Sequence, residues 1–346
     1  MYFHEESIMS IENYSQIVAD ILDPLIPEGS SVALLDFPNH SNVGDSAIWL
    51  GEYAYLEDRK DLTVRYVCEN TASPANFSKI APEYVILIHG GGNFGDLWPR
   101  HQEFRERIIQ QYQGNRIIQL PQSIHFQDEQ NFERCRNVLN IHPDFHLIVR
   151  DRESLDLAGR IHDGLTYLCP DMALCMRSVP RTTNPRHPIV CLMRTDKEKA
   201  VSGSMASCDH VSLYTIDWLG ESFSAAYWAN TKLDWLQMKF SRWTEPLDGM
   251  KPFLFQRLAT ERFQRGCDIL CSGEVVITDR LHGHIMCCLL GIPHVVLDNS
   301  YRKIGNFRDA WNTGEDLCVT AFSVSEACEK ARALLDTHAT RNYYSS

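Results

Sequence analysis

Polar and ionisable residues in this chain stand where short apolar runs stop, and the richest such junction spans Tyr84 to Asp96. Tyr84 to Ile88 is short and β-branched, as a buried parallel strand is. The run stops at His89, Gly90, Gly91, Gly92 and Asn93, and a polar, helix-forming segment follows from Pro99 to Tyr112. Strand, glycine turn and helix together let backbone N–H groups approach an anion at a helix N-terminus. Glycine permits the approach because it has no Cβ and tolerates positive φ. A plain tight turn is the competing reading. The dinucleotide spacing G-x-G-x-x-G is absent and no Gly-Lys-Ser/Thr follows, so the loop predicts an anion near His89 and Asn93 rather than a nucleotide cofactor.

The elements that must hold these residues alternate. A helix over Ile8–Leu25 precedes a strand over Ser31–Phe37, the loop Pro38–Asp45, and a helix over Ser46–Leu56 with Asp45 and Ser46 at its N-cap. Thr63–Glu69 reads as a strand, as do Arg116–Leu120, His146–Arg150 and Tyr167–Cys169. Ser178–Pro188 is rich in Pro, Thr, Asn and Arg and reads as a linker. A second block alternates through strands at Ile189–Met193, Val211–Ile216, Glu274–Thr278 and His294–Leu297. Its helices are Ser222–Arg242, Phe253–Leu270, the segment opened by Asp279–His284, and Ser323–Leu335. Such alternation predicts parallel sheets joined by right-handed crossovers, with ligands at the carboxyl ends of the strands. The strand ends carry Asn42 to Asp45, His89 to Asn93, Gln122 with Ser123, and Arg150 to Arg152.

With 346 residues, the chain is expected to form two domains of roughly 150 to 200 residues each. We place them at 1–180 and 181–346. A formal net charge of −12 argues against a nucleic-acid partner. The twelve cysteines show no Cys-x-x-Cys or zinc spacing and read as small core residues of a reduced protein. The N-terminus has acids and no basic leader region, and no apolar run is long enough to span a bilayer, so a cytoplasmic protein is expected.

Taken in order, Asn42-Val-Gly-Asp45, His89-Gly-Gly-Gly-Asn-Phe-Gly-Asp-Leu-Trp-Pro99, Leu120-Pro-Gln-Ser123, Arg150-Asp-Arg-Glu-Ser154, Pro170-Asp171 and Thr278-Asp-Arg-Leu-His-Gly-His284 resemble the polysaccharide pyruvyl transferases, most closely the exopolysaccharide branch. The resemblance covers about residues 30 to 310 and is poor from Thr195 to Met250, where acceptor specificity is expected to vary. It implies two Rossmann-like parallel-sheet domains, GT-B-like, with a cleft between them. It also implies phosphoenolpyruvate as donor, a saccharide acceptor, and neither metal nor organic cofactor. A nucleotide-sugar glycosyltransferase of GT-B type and a non-catalytic saccharide-binding relative are the rival readings, since fold does not fix chemistry.

Ketal transfer from phosphoenolpyruvate needs anion clamps, a proton donor for C3 and a base for the acceptor hydroxyls. Arg280 suits the clamp, because a guanidinium forks onto carboxylate or phosphate; a structural ion pair is its alternative. Of His282 and His284, we assign the proton to His282, and His284 to donor binding or packing. Gly90, Gly91, Gly92, Asn93, Arg150 and Lys303 complete the donor set, with Tyr301 beside Lys303. Asp45 and Asn42 could hold or deprotonate an acceptor hydroxyl, and His89 is either an acceptor contact or a buried core residue. Tyr227, Trp228, Trp235, Phe240 and Trp243 recur along one helix with Lys232, Lys239 and Arg242 between them. This stripe reads either as core or as a surface for sugar or membrane, the latter suiting a lipid-linked acceptor and peripheral attachment to the inner face of the cell membrane.

Overall fold

The structure, a computed structural model, describes residues 11–71, 80–195, 212–220, 223–239, 249–298 and 302–344, the side chains of 237–239 and 338–344 excepted. The Tyr301, Phe240, Arg242 and Trp243 readings lie outside the described residues, and so does the Lys239 side chain. The chain divides into two compact units. One comprises Ile17–Cys175 and Glu221–Phe263; the other comprises the described parts of Met1–Gln16, Met176–Gly220 and Gln264–Ser346.

The first unit begins within α1 (Ile11–Leu22), at Ile17, and continues through β1 (Ser31–Leu35), α2 (Val43–Asp58), β2 (Thr63–Cys68), β3 (Val85–Ile88) and β4 (Gly91–Gly95). Then come α3 (Pro99–Gln111), β5 (Ile117–His125), α4 (Glu129–Asn140), β6 (Phe145–Val149), α5 (Arg152–Ile161) and β7 (Thr166–Leu168). The seven strands form one parallel sheet in the order β2-β1-β3-β5-β6-β7, with β4 also paired to β5. Side chains alternate across it: Val32 and Leu34 join one core layer, Ala33 and Leu35 the other. The first layer is closed by Ile48 and Trp49 of α2 and by Phe255, Leu258 and Ala259, the second by Phe104 and Ile108 of α3 and Phe132 of α4.

The glycine stretch differs from its expected form. It does not turn directly into a helix. Residues 91–95 are β4, which continues the line of β3 along the longer β5; β3 pairs with Ile117–Gln119 and β4 with Gln122–His125. The reason is steric. Gly95 has φ +116°, and a Cβ there would stand 1.8 Å from the His125 carbonyl oxygen. The glycines bring two backbones together inside the sheet, and α3 starts only at Pro99, after the Trp98 N-cap.

The cap of α2 is a second correction. Asn42, not Asp45, is the N-cap, and its side chain accepts from the Gly44 N–H at 3.3 Å. Asp45 sits inside the first turn, where a carboxylate favours the helix dipole. Sequence reasoning also missed α4, whose apolar residues are only Phe132, Cys135, Val138 and Leu139 among polar neighbours.

In the second unit, β8 (His187–Leu192) and β9 (Leu213–Ile216) are followed, after α6 (Ala225–Lys239) and α7 (Lys251–Cys271), by β10 (Gly273–Thr278) and α8 (Leu281–Leu290). The chain closes with β11 (His294–Leu297), α9 (Lys303–Trp311), β12 (Cys318–Ala321) and α10 (Val324–Tyr344). Pro188 therefore lies in β8 rather than in a linker. The five strands run parallel in the order β12-β11-β10-β8-β9. Their core joins Ile189, Val275, Ile277 and Val295 to Ala327 and Ala331 of α10. Helix α6 and the first part of α7, which follow β9 in the chain, belong to the first unit.

Gly95→Ala is expected to cost at least about 3 kcal/mol, the range of backbone clashes that cannot relax. Gly114→Ala, where a Cβ meets nothing within 4 Å, should change stability little. Guanidinium unfolding of the two variants checks the contrast.

Candidate active site

The carboxyl edge of the first sheet collects a buried polar network. Asp36, the residue after β1, is fully buried, and its carboxylate oxygens lie 2.9 and 3.0 Å from Nδ1 of His101 on α3. Asn93 in β4 stands beside them, with Nδ2 3.3 Å from the same nitrogen. The Asn93 side-chain oxygen Oδ1 accepts from Arg105 at 2.8 Å and from Gln122 at 2.9 Å. Arg105 also donates to Gln119 and Gln102. Asn42 Nδ2 donates to Asp45 at 2.8 Å, and His40 Nε2 lies 3.5 Å from Asp45. Gly91 has φ +121°, and a Cβ there would stand 3.6 Å from Asp45 Oδ1. Helix α7 reaches this edge through Arg262, which donates to the Pro38 carbonyl and the Asn39 side chain.

His89 lies deeper, between β3 and β4. Its Nδ1 faces the Glu52 carboxylate at 2.9 Å, and both side chains are buried. Glu52 also accepts from the Gly90 N–H at 2.8 Å. Burial of the imidazole opposes its charge, but the carboxylates of Glu52, Asp36 and Asp45 outweigh that, so His89 sits above the ordinary histidine value.

At the carboxyl edge of the second sheet, Arg280 follows β10 and is buried against the Trp218 ring, 5.5 Å from its centroid. Its Nη2 donates to Asp217, which follows β9, at 2.5 Å. Asp217 is itself held by the Trp218 N–H and by the N–H and hydroxyl of Thr195. His282 lies on the first turn of α8, and Lys303 starts α9 after β11. Asp298, after β11, accepts from the Ile304 and Gly305 N–H groups.

Residues 42–301 match the family described as polysaccharide pyruvyl transferase. The chain belongs to that family. It is similar to Pyruvyl transferase 1 of Schizosaccharomyces pombe, with 33% identity over 88% of this chain and 75% of the relative. It is also similar to EpsO of Bacillus subtilis, a candidate pyruvyl transferase, with 31% identity over 89% of this chain and 94% of that one. The crystal structure of an uncharacterised protein from Klebsiella pneumoniae shares the fold, with a TM-score of 0.59 at 18% identity, covering 90% of this chain and 99% of its own. The protein is thus an enzyme of pyruvyl transfer to polysaccharide.

In this pyruvyltransferase the structure sorts the residues singled out from sequence. Asn42, Asp45, His89, Gly90, Gly91, Gly92 and Asn93 come together at the first sheet, and Arg280, His282 and Lys303 follow strands or open helices at the second. Three N–H groups of the glycine stretch are already engaged: Gly90 by Glu52, Asn93 by Gln122 and Gly95 by Gln102. Arg150 is buried, donating to Asp171 at 2.6 Å and to Ser123 at 3.0 Å. Trp228 and Trp235 are 60% and 46% exposed on α6, not core, whereas Leu233 of that helix is buried. Asp36, Glu52, His101, Arg105 and Asp217 had not been singled out. Asp36 and Asp217 each carried a signal, an acid directly after an apolar strand; Glu52, His101 and Arg105 lie inside helices without a motif.

His284 is fully buried. His294 Nδ1 donates to the Ile292 carbonyl, so His294 Nε2 accepts from His284 Nδ1 at 2.7 Å and His284 Nε2 accepts from Thr313 at 2.7 Å. Every ring nitrogen is satisfied with both histidines neutral, which makes His284 a packed residue of α8. Burial pushes His284 well below the ordinary value and His294 down to about 4. Among the described residues, His284, His294 and Cys318 form the group whose donor types suit a metal. Two nitrogens bound to one tetrahedral zinc stand about 3.3 Å apart. The observed 2.7 Å is hydrogen-bond spacing.

The His89 value lies above the unfolded one. Its pairing therefore contributes fully below about pH 6.5 and is lost as pH rises through the folded value. Glu52→Gln should cost about 3–5 kcal/mol at pH 6, as removal of one partner of a buried pair does. The cost should shrink as pH rises toward 9, which urea unfolding across that range measures.

Proposed function

We propose that this pyruvyltransferase takes pyruvate from phosphoenolpyruvate and sets it as a ketal across two hydroxyls of a saccharide precursor of an exopolysaccharide, releasing phosphate. Arg280 carries the reading. A buried guanidinium, held by Asp217 and Trp218 at the carboxyl end of β10, is a rigid fork for a carboxylate or phosphate. His282, two residues on, supplies the proton to C3. Protonation makes C2 electron-poor, one acceptor hydroxyl attacks it, phosphate leaves with its C–O electron pair, and the second hydroxyl closes the ring. Lys303 at the start of α9 adds positive charge for the leaving phosphate. These cationic groups and the helix N-termini supply the neutralisation that a divalent ion would otherwise provide, so the reading needs neither metal nor organic cofactor.

On the acceptor side, Asn42 and Asp45 lie beside Gly91. The exposed rings of Phe223, Trp228, Trp235 and Phe253 support an acceptor with an apolar part, such as a lipid-linked saccharide at a membrane surface. No helix among the described residues is long and apolar enough to cross a membrane. Ten described cysteines, Cys169 and Cys287 among them, are buried free thiols, which supports the cytoplasm, whereas Cys328 is disulfide-bonded.

Phosphoenolpyruvate should be consumed with phosphate release when a saccharide acceptor is present, exhaustive chelation should not stop it, and nucleotide sugars should not replace the donor. Release of nucleotide instead would refute the reading. Arg280→Lys should fold and lose about 10- to 150-fold in turnover, the equivalent of one charge-assisted contact. His282→Asn should lose about 10²–10⁴ in rate with donor binding retained. His284→Asn should act on stability rather than rate.

A further inference from the structure

Trp218 stands two residues beyond β9, at the carboxyl edge of the second sheet. Its side chain is only 1% exposed, yet the indole Nε1–H finds no acceptor among the described residues. An indole nitrogen can only donate, and a donor buried without an acceptor keeps the full penalty of leaving water. A buried tryptophan ordinarily finds a partner for this group. An orphaned donor in a dry interior points to an acceptor that belongs to a ligand.

The rest of Trp218 is tied to the surroundings of Arg280. Its backbone N–H donates at 2.8 Å to Asp217 Oδ1, the oxygen that also accepts from Arg280 Nη2 at 2.5 Å. Its carbonyl accepts from Arg265 at 3.0 Å. The guanidinium carbon of Arg280 stands over the indole, 5.5 Å from the ring centroid. Arg280 is also the N-cap of α8, a helix of 10 residues, and makes no side-chain cap bond to it. The positive end of the helix dipole therefore faces the same corner. Two acids flank the corner. Asp217 is engaged by Arg280 and Thr195; Asp279 Oδ1 accepts from the Arg194 N–H at 2.8 Å, and burial raises its carboxyl toward the neutral form. All of these residues lie in the second unit.

We propose that Trp218 is a further donor-binding residue, whose indole N–H donates to an oxygen of the anion that Arg280 clamps, the carboxylate or the phosphate of phosphoenolpyruvate. The assignment rests on the phosphoenolpyruvate reading above. Either anion carries enough lone pairs to accept from a guanidinium and an indole at once. The ring meets the guanidinium with its face and the ligand with its edge, so one residue orients both the clamp and what is clamped.

The test uses the full-length protein and phosphoenolpyruvate. Trp218→Phe keeps an aromatic face for Arg280 and removes the donor. By calorimetry it should bind phosphoenolpyruvate about 10- to 150-fold more weakly, the share of one hydrogen bond to a charged group. Pyruvate and inorganic phosphate, titrated in turn, identify the anion: the one whose affinity falls in the variant is the one the indole holds. A second measurement reads the N–H itself. In wild-type protein carrying nitrogen-labelled tryptophan, the indole signal that Trp218→Phe lacks should move downfield on addition of phosphoenolpyruvate, which a purely structural tryptophan would not do. Trp218→Met, which fills the space without a donor, serves both measurements if the phenylalanine protein does not fold. Unchanged phosphoenolpyruvate affinity in a folded variant, or a wild-type spectrum in which no indole signal moves, overturns the assignment while leaving the donor reading intact. Wild-type protein that binds no phosphoenolpyruvate overturns the donor reading, and this assignment with it.

Discussion

Much of the first unit depends on how a break in a buried strand is kept satisfied. The line formed by β3 and β4 is interrupted at His89 and Gly90, in the dry interior of a sheet where an unpaired backbone group costs as much as a lost hydrogen bond. Three backbone groups at the break have partners. The His89 N–H donates to the Leu35 carbonyl, the Gly90 N–H donates to Glu52, and the His89 carbonyl accepts from Gln119 and Gln122. Those glutamines belong to β5, and Gln122 also holds Asn93. The backbone repair and the polar edge are therefore one network: what closes the gap in the sheet also orients the side chains at its mouth.

A second regularity runs through both units. Four basic side chains near the carboxyl edges of the sheets are each backed by a carboxylate. Asp36 backs His101, Glu52 backs His89, Asp171 backs Arg150 and Asp217 backs Arg280. A buried pair contributes little net stability, because desolvation offsets attraction, but it fixes geometry, and removing one partner is costly. The four differ in what the cation can still reach. His89 and Arg150 are enclosed on all sides, so their pairing serves the fold. His101 keeps an open face, and Arg280 lies at the head of α8 with the helix N–H groups beside it.

The likeness to the Klebsiella protein shows how little of this needs sequence identity. At 18% identity the fold persists over most of both chains. Parallel sheets buried on both faces ask only for apolar, β-branched runs of about the right length, and many sequences meet that demand.

The sequence by itself determined the alternation of strands and helices, the two parallel sheets and the family, because apolar periodicity and motif order are local properties read along the chain. The strand His294–Leu297 and the helix at Pro99 were legible residue by residue. Tertiary structure decided which polar residues at the strand ends are enclosed and which are open. Asp36 meets His101 across 65 residues, Arg280 meets Asp217 across 63, and Glu52 meets His89 across 37. It also decided that three glycines serve strand pairing rather than a turn into a helix, since the clash at Gly95 is with the backbone of His125, on a strand that appears only later in the chain. Hydrogen-bond partners are chosen by where folded backbones bring side chains, and no local pattern of residues encodes that distance.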